Sequence, residues 1–281
     1  MKRVTAIIPT INEEENIEKC IKSVSELADK IVVVDTYSSD RTKEIAESLG
    51  CTVYQGNWST FAEKINWSIQ NIAIETEWVM RLDADEVLGQ DFVKTWKNTP
   101  LTADAYSIKR KFVFLGKELN FGGWGGLWDV RIWKPGHVSM ENRAIDEHMI
   151  VSGKLERLHV KVLDDSHKSV KSAANDDHRS IISFWIEKHN KYSDLEAKAF
   201  RSFDRISGTS DFSAKIKRIL KNNVYYKIPL FVRPFLFFFY RYFILLGFLD
   251  GRRGLIIHVL HSFWYRFLVD VKIYERSRNP R

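Results

Sequence analysis

Cysteine is scarce: Cys20 and Cys51 are the only two, and they form neither a C-x-x-C pair nor a metal-ligand spacing. Both fall on apolar positions, one on a helix stripe and one opening a strand. They read as buried thiols, which suits a reducing cytosol and excludes a disulfide scaffold. Only "VTAII" separates Lys2 and Arg3 from Pro9, too short for the apolar core of a signal peptide. A membrane-spanning helix needs about 20 predominantly apolar residues. The nearest approach, "IPLFVRPFLFFFYRYFILLGFLDGRRG", is interrupted by Arg233, Pro234 and Arg241. Internal repeats and low-complexity linkers are absent. Acid is missing from the last part of the chain: residues 214–281 hold 14 Lys/Arg against 3 Asp/Glu, a local +11. With +7 overall, residues 1–213 carry −4, so any argument for a polyanionic partner belongs to the tail.

What is present is ordinary globular material, 44% apolar and 28% charged over 281 residues, enough for a substantial core. "VTAIIPT" reads as a buried strand. "NEEENIEKCIKSVSEL" follows with Ile17, Cys20, Ile21, Val24 and Leu27 at helical spacing, and Asn12 with Glu15 suits the helix start. "KIVVVD" is a second strand, "SSDRTKEIAESLG" a turn and short helix ended by Gly50, and "CTVYQ" a third strand. "STFAEKINWSIQNI" predicts a helix stacking Phe61, Ile65, Ile69 and Ile72, and "EWVMRL" a fourth strand. Strands alternating with helices imply a parallel sheet covered on both faces, and ligands bind beyond the carboxyl ends of such strands. "PTINEE", "DTYSSD" and "DADE" all fall at those ends and are expected to meet in one crevice. Farther on, "FGGWGGLWDVRIWKPG" predicts a Gly/Trp loop and a strand near 129–133, and "NDDHRSIISFWIEKHNKYSDLEAKAF" a polar entry to a helix.

"EWVMRLDADEVL" crowds Asp83, Asp85 and Glu86 at a strand end. Carboxylates one residue apart suit Mg²⁺ or Mn²⁺, which keep coordination sites open for substrate phosphates. The same acids also suit a solvated turn or the cap of a helix near Gly89. Asp35, after "VVV", can accept from a nucleobase N–H or shape a turn, and Asp40 suits the cap of the "RTKEIAE" helix. Gly122, Gly123, Gly125 and Gly126 allow close backbone approach around Trp124.

"AIIPTINEEENIEKCIKSV", "IVVVDTYSSDRTKEIAESLG", "FAEKINWSI" and "WVMRLDADE", in this order and spacing, resemble the inverting glycosyltransferases of family 2. "FGGWGGLWDVRIWKPG", "AIDEH", "DDHRSIISFWIEKHNKYSDLEA" and "GFLDGRRGL…YRFLVDVKIYE" are similar to bacterial enzymes that extend lipopolysaccharide-core, capsule or exopolysaccharide sugars. The resemblance implies an α/β GT-A fold, a Rossmann-like mixed sheet flanked by helices, over residues 1–213, with an aromatic and basic helical extension over 214–281. It implies a nucleotide-diphospho-sugar donor (a UDP-sugar), with Pro9, Thr10, Asn12 and Glu14 lining the nucleoside pocket and Asp35 near the base. Asp83 and Asp85 match the D-x-D that holds a divalent cation on the diphosphate, and Asn66 matches a polar residue beside the donor. Two positions depart from the pattern: Thr36 replaces a second acid, and Ile65 replaces an arginine whose place Lys64 is a candidate to fill. Aligning "NRAIDEH" with the family's R-x-V-H-E puts Glu147 on the catalytic acid and Asp146 in place of a histidine, so Glu147 is preferred over Asp146 as the base. Trp124, on the acceptor side, is a candidate to stack on a sugar or to be a buried structural ring. Asp176, Asp177 and His178 are candidates to close on metal or donor, or to cap the following helix.

Residues 225–267 hold 15 of the 37 aromatics, interleaved with arginines. That mixture suits an interfacial helix on an anionic membrane, aromatics in the acyl boundary and arginines at the headgroups, where a lipid-linked acceptor would be presented. The expected location is therefore peripheral, on the cytoplasmic face of the bacterial inner membrane. No RNA-binding motif accompanies the basic tail, so no nucleic-acid partner is expected. Two alternatives stand beside the transferase: a phosphohydrolase using Asp83 of "DADEV" as its nucleophile, and a non-catalytic membrane-surface scaffold.

Overall fold

A computed structural model describes residues 2–125, 127–142, 147–164, 181–200 and 223–278. The first half alternates as expected: β1 (Val4–Thr10), α1 (Ile17–Val24), β2 (Lys30–Asp35), α2 (Thr42–Ser48), β3 (Thr52–Gln55), α3 (Phe61–Asn71) and β4 (Trp78–Arg81). β2 and β4 flank β1 in parallel, and β3 continues beyond β2. Side chains alternate across each strand, so both sheet faces are apolar and both are covered. Val4, Ala6 and Ile8 of β1 join Val33, Trp78 and Met80 in a core against α1, where Cys20 is buried. Ile7, Val32, Val34 and Val79 face the other way, onto Ala62 and Ile65 of α3.

The order then becomes mixed. β5 (Glu86–Leu88), α4 (Gln90–Asn98), β6 (Ala105–Phe114), β7 (Lys117–Leu119) and β8 (Leu127–Trp133) are followed by β9 (Val138–Met140), β10 (Met149–Val151) and β11 (Leu155–Asp164). The main sheet runs β3-β2-β1-β4-β8-β6-β11-β5, with β7 beside β6, while β9 and β10 form a separate ribbon. β8 lies antiparallel between β4 and β6, so a late strand is inserted beside the D-x-D strand. The fold is thus a mixed sheet flanked by helices with a C-terminal helical extension, as the sequence implied.

Two local expectations need correction. Helix α1 starts at Ile17, not near Asn12; Asn12 has φ 53° and instead bridges two loops. Phe61, expected in the α3 stack, is 36% exposed, whereas Ile65 and Ile72 are buried.

After α5 (Ile181–Ala199), the extension comprises α6 (Arg233–Phe239), α7 (Gly251–Ile257) and α8 (Tyr265–Arg278). π-helical segments, Tyr240–Ile244 and His258–Trp264, follow α6 and α7. Helix α8 packs on α5 through Ala197, Tyr265, Val269 and Ile273. The extension also clasps the Gly/Trp loop. Asp250 accepts from the amides of Asn120 and Phe121 at 3.2 and 3.0 Å, and Arg241 Nε donates to the Gly122 carbonyl at 2.6 Å. Gly122, at φ +64°, lies so close to His258 that an added Cβ would sit 2.0 Å from the ring nitrogen. Its glycine is therefore required by packing as well as by backbone conformation. The domain boundary expected at 213/214 lies outside the described residues.

Candidate active site

The carboxyl ends of β1, β2 and β3 meet through one buried carboxylate. Asp35 Oδ1 accepts from the hydroxyls of Thr10 (2.8 Å) and Ser38, and Oδ2 from Ser38 N (2.9 Å) and Gln55 Nε2 (3.0 Å). Burial raises the pKa of Asp35, but the bonds from Ser38, Gln55 and Thr10 outweigh it and hold the group below the usual carboxylate range. Asp35 is fully enclosed, so to receive a nucleobase it would have to exchange one of these partners. The loops after β1 and β2 are stitched together beyond it. Asn12 Oδ1 accepts from Ser39 N at 2.8 Å, and Asn12 N donates to Ser38 Oγ at 2.8 Å. Glu14 accepts from Arg41 N, and Asp40 accepts from the amides of Glu14 and Thr42. Pro9 and Thr10 are buried at the end of β1.

Lys64 reaches this edge from α3 and donates to the Thr10 carbonyl at 2.8 Å. Burial pushes its pKa down to about 8, against the opposing pull of Asp35 and Glu13. The folded protein therefore releases this proton near pH 8, whereas an unfolded chain does so at roughly 10.4. Between those values the unfolded state binds more protons, so this group makes stability rise with pH. Urea melts at about pH 8 and pH 10 are expected to show that rise, and Lys64→Met is expected to remove it.

Asn66, two residues farther along α3, is engaged by backbone. Its side-chain amide donates to Met140 O and accepts from Met140 N, both at 2.8 Å, clipping α3 to the β9–β10 ribbon. Glu147, half-buried, stands two residues before β10 of that ribbon, next to His148, whose carbonyl accepts from Glu141 N at 2.9 Å. Asp146, Asp177 and His178 lie outside the described residues. Trp124 is 8% exposed. Phe112 stacks on it at 4.3 Å, and the Arg241 guanidinium lies 4.5 Å from its ring centre. The ring is packed between β6 and the extension, and stacking on a sugar would require that packing to open.

Ile7 of β1 is paired with Arg81 of β4, so Asp83 and Asp85 emerge on the same sheet edge as Thr10. The crowded acids already have positive partners within the chain. Arg131 on β8 donates to Asp83 Oδ2 at 3.1 Å and to Glu86 Oε1 at 2.5 Å. Arg81 Nε lies 3.4 Å from Asp83 Oδ1, and Glu86 Oε2 accepts from Asp83 N at 2.9 Å. Arg110 extends the network through Asp129, 3.4 Å away. Burial pushes the Asp83 pKa up, but Arg131, then Arg81 and Arg110, overcome it and hold the carboxyl well below its ordinary range. Asp83 and Glu86 are thus neutralised by arginines within the chain. Glu86 is buried in that network. Asp85 sits half-buried on the turn between β4 and β5.

Arg131, Arg81, Arg110 and Asp129 escaped the sequence reading. A signal existed: in "LWDVRIW" Asp129 and Arg131 are two apart and so share a strand face. Their pairing with "RLDADE" depends on β8 lying beside β4, which no local pattern announces.

Residues 5–105 match the model of "Glycosyl transferase family 2". That stretch, a little over a third of the chain, is similar to the family 2 glycosyltransferases. A Rickettsia bellii protein named "Uncharacterized glycosyltransferase" is 38% identical over 96 residues, 32% of this chain and 30% of that protein. A Rickettsia prowazekii glycosyltransferase is 34% identical over 124 residues, 42% of this chain and 41% of that protein. The chain thus aligns with well under half the length of these curated relatives. Among solved structures, a Mycobacterium tuberculosis glucosyl-3-phosphoglycerate synthase, in complex with Mn²⁺, UDP and glucosyl-3-phosphoglycerate, has 21% identity and a TM-score of 0.34. That likeness covers 39% of this chain and 44% of that one. The matched residues 5–105 contain Asp35, Lys64, Asn66 and the D-x-D, but not Arg131 or Glu147.

Proposed function

We propose that the protein transfers a sugar from a nucleotide-diphospho-sugar, a UDP-sugar, to a saccharide or lipid-linked acceptor, with inversion, in cell-surface polysaccharide or lipopolysaccharide assembly. The observation that carries this reading is the pair Asp83 and Asp85, brought to the edge where the ends of β1–β3 converge within the stretch similar to family 2.

The donor set fits a Mg²⁺ or Mn²⁺ ion shared with substrate. Among the described residues no three acids, histidines or cysteines form a ready-made cage. Asp83 Oδ1 is buried and accepts no hydrogen bond, with Arg81 Nε standing 3.4 Å away as its nearest cation. Two carboxylates plus diphosphate oxygens and water are what such cations accept. Asp85 would be the direct ligand, with Asp83 held ionised beside it by Arg131. When bound, the cation would neutralise charge on the departing diphosphate. Thr10, Asn12, Glu14, Asp35 and Lys64 would shape the nucleoside end. Glu147 would accept the acceptor hydroxyl proton while that oxygen bonds to the anomeric carbon and the carbon–diphosphate bond breaks.

Both Asp83 oxygens face guanidiniums, which argues against its use as a phosphohydrolase nucleophile. We further assign the acceptor to the cytoplasmic face of the bacterial inner membrane, since the extension joins the Gly/Trp loop to an apolar surface.

A panel of nucleotide sugars tests this reading by thermal shift. At about 100 times its dissociation constant the correct donor should add about 2.7 kcal/mol to stability. The gain should require Mn²⁺ or Mg²⁺ and disappear with a chelator. A panel with no metal-dependent shift would refute the donor and cation assignments.

A further inference from the structure

Segment 232–259 is amphipathic in the reverse sense from a helix of a water-soluble domain. Along α6 and its π continuation Val232, Phe235, Leu236, Phe239, Phe243 and Ile244 are 46–60% exposed. Their spacing of three and four residues makes one continuous outward stripe. The buried side of the same helix carries the charges. Arg233 is 1% exposed and donates to Asp270 Oδ1 at 2.7 Å, and Arg241 donates to the Gly122 carbonyl. These positions correct the expectation that Arg233 and Arg241 lie at headgroup level: they fasten the helix from inside. In α7 and beyond, Leu255, Ile256 and Val259 are again exposed, while Gly254, Ile257 and His258 are buried.

The exposed charge on this segment has one sign. Lys227 and Arg252 are exposed, and Asp250, the single acid in 225–259, is buried against loop amides. No helix among the described residues is long and apolar enough to cross a membrane. A large exposed apolar patch marks an interaction site. A bare apolar stripe on a segment whose exposed charges are all basic fits a bilayer whose tails are apolar and whose headgroups are anionic. A second copy of the chain would instead bring a second set of basic residues to the same face.

We propose that segment 232–259 docks, preformed, in the plane of an anionic bilayer, its stripe in the acyl boundary and Lys227 and Arg252 at the headgroups. The surface deepens the proposed function, on which it rests only for its purpose of meeting a lipid-linked acceptor. The attachment is rigid with the Gly/Trp loop, because Asp250 and Arg241 bind loop 120–122 directly.

The test is flotation of the full chain with phosphatidylglycerol/phosphatidylcholine vesicles, without sugar nucleotide, so its outcome is independent of the transfer reading. The wild type should float, and less so as salt rises. Phe239→Glu with Ile244→Glu should lower the partition coefficient at least tenfold; both side chains are more than half exposed, and melting should confirm that the variant folds. Phe239→Ser with Ile244→Ser should give a smaller loss in the same direction. Lys227→Gln with Arg252→Gln should remove the preference for anionic over neutral vesicles. Equal flotation by wild type and stripe variants would overturn the proposal. So would a wild type that does not float but forms a dimer which the stripe variants dissociate, because the face would then join two copies.

Discussion

Asp85→Asn is expected to lower sugar transfer by about three orders of magnitude and to leave the fold intact. The amide keeps the shape of the side chain but removes the negative charge that a divalent cation requires. Loss of one preorganised electrostatic contact to a reacting centre typically costs about 10²–10³ in rate. Stability should change little, because Asp85 stands on a half-buried turn rather than in the core, and such substitutions usually fall within about 0.5 kcal/mol. A radiolabelled transfer assay beside a thermal melt separates the two effects. Transfer at wild-type rate would remove Asp85 from the cation site. Asp83→Asn would be less informative, since Asp83 also pairs with Arg131 and would confound chemistry with folding.

Arg131→Met is expected to have the largest effect on stability. Its guanidinium is 3% exposed and holds Asp83, Glu86 and, more distantly, Asp129. Methionine can occupy much of the volume but leaves Glu86, itself buried, without its cation. Breaking a buried ion pair from one side costs about 3–5 kcal/mol, because the abandoned charge remains desolvated. In a chain of this size that corresponds to a fall of roughly 10 °C in melting temperature, at about 2–4 °C per kcal/mol. Denaturant unfolding measures it directly. A double variant, Arg131→Met with Glu86→Gln, should recover part of the loss because it removes the stranded charge. A single variant as stable as wild type would show that the network contributes little.

The first four strands and three helices were legible because their signals are local. Val32, Val33 and Val34 in a row, Ile65 and Ile72 at helical spacing, and Gly50 at φ +79° each follow from neighbours within a few residues. The strand-end acids were legible for the same reason, since a chain that alternates strand and helix must leave its polar loops on a common edge. β6, β8 and β11 were harder. Their partners are distant in sequence, and β8 mixes Trp128, Asp129 and Arg131 with apolar residues, so no clean period identifies a covered strand. Burial on the extension was misread for a related reason. Aromatic composition indicated an apolar surface, but only packing shows that Arg233 and Arg241 turn inward.

The sequence by itself therefore determined the alternating α/β half, the two buried thiols, the D-x-D edge and the unusual apolar, basic tail. Each rests on short-range periodicity or composition. Only the tertiary structure decided that arginines from β4 and β8 neutralise Asp83 and Glu86, that Asp35 is enclosed by four donors, and that Trp124 lies beneath the extension. Those outcomes depend on which distant segments become neighbours. Charge pairing acts strongly only within a few ångströms and in a desolvated setting, so it was invisible until the chain had folded.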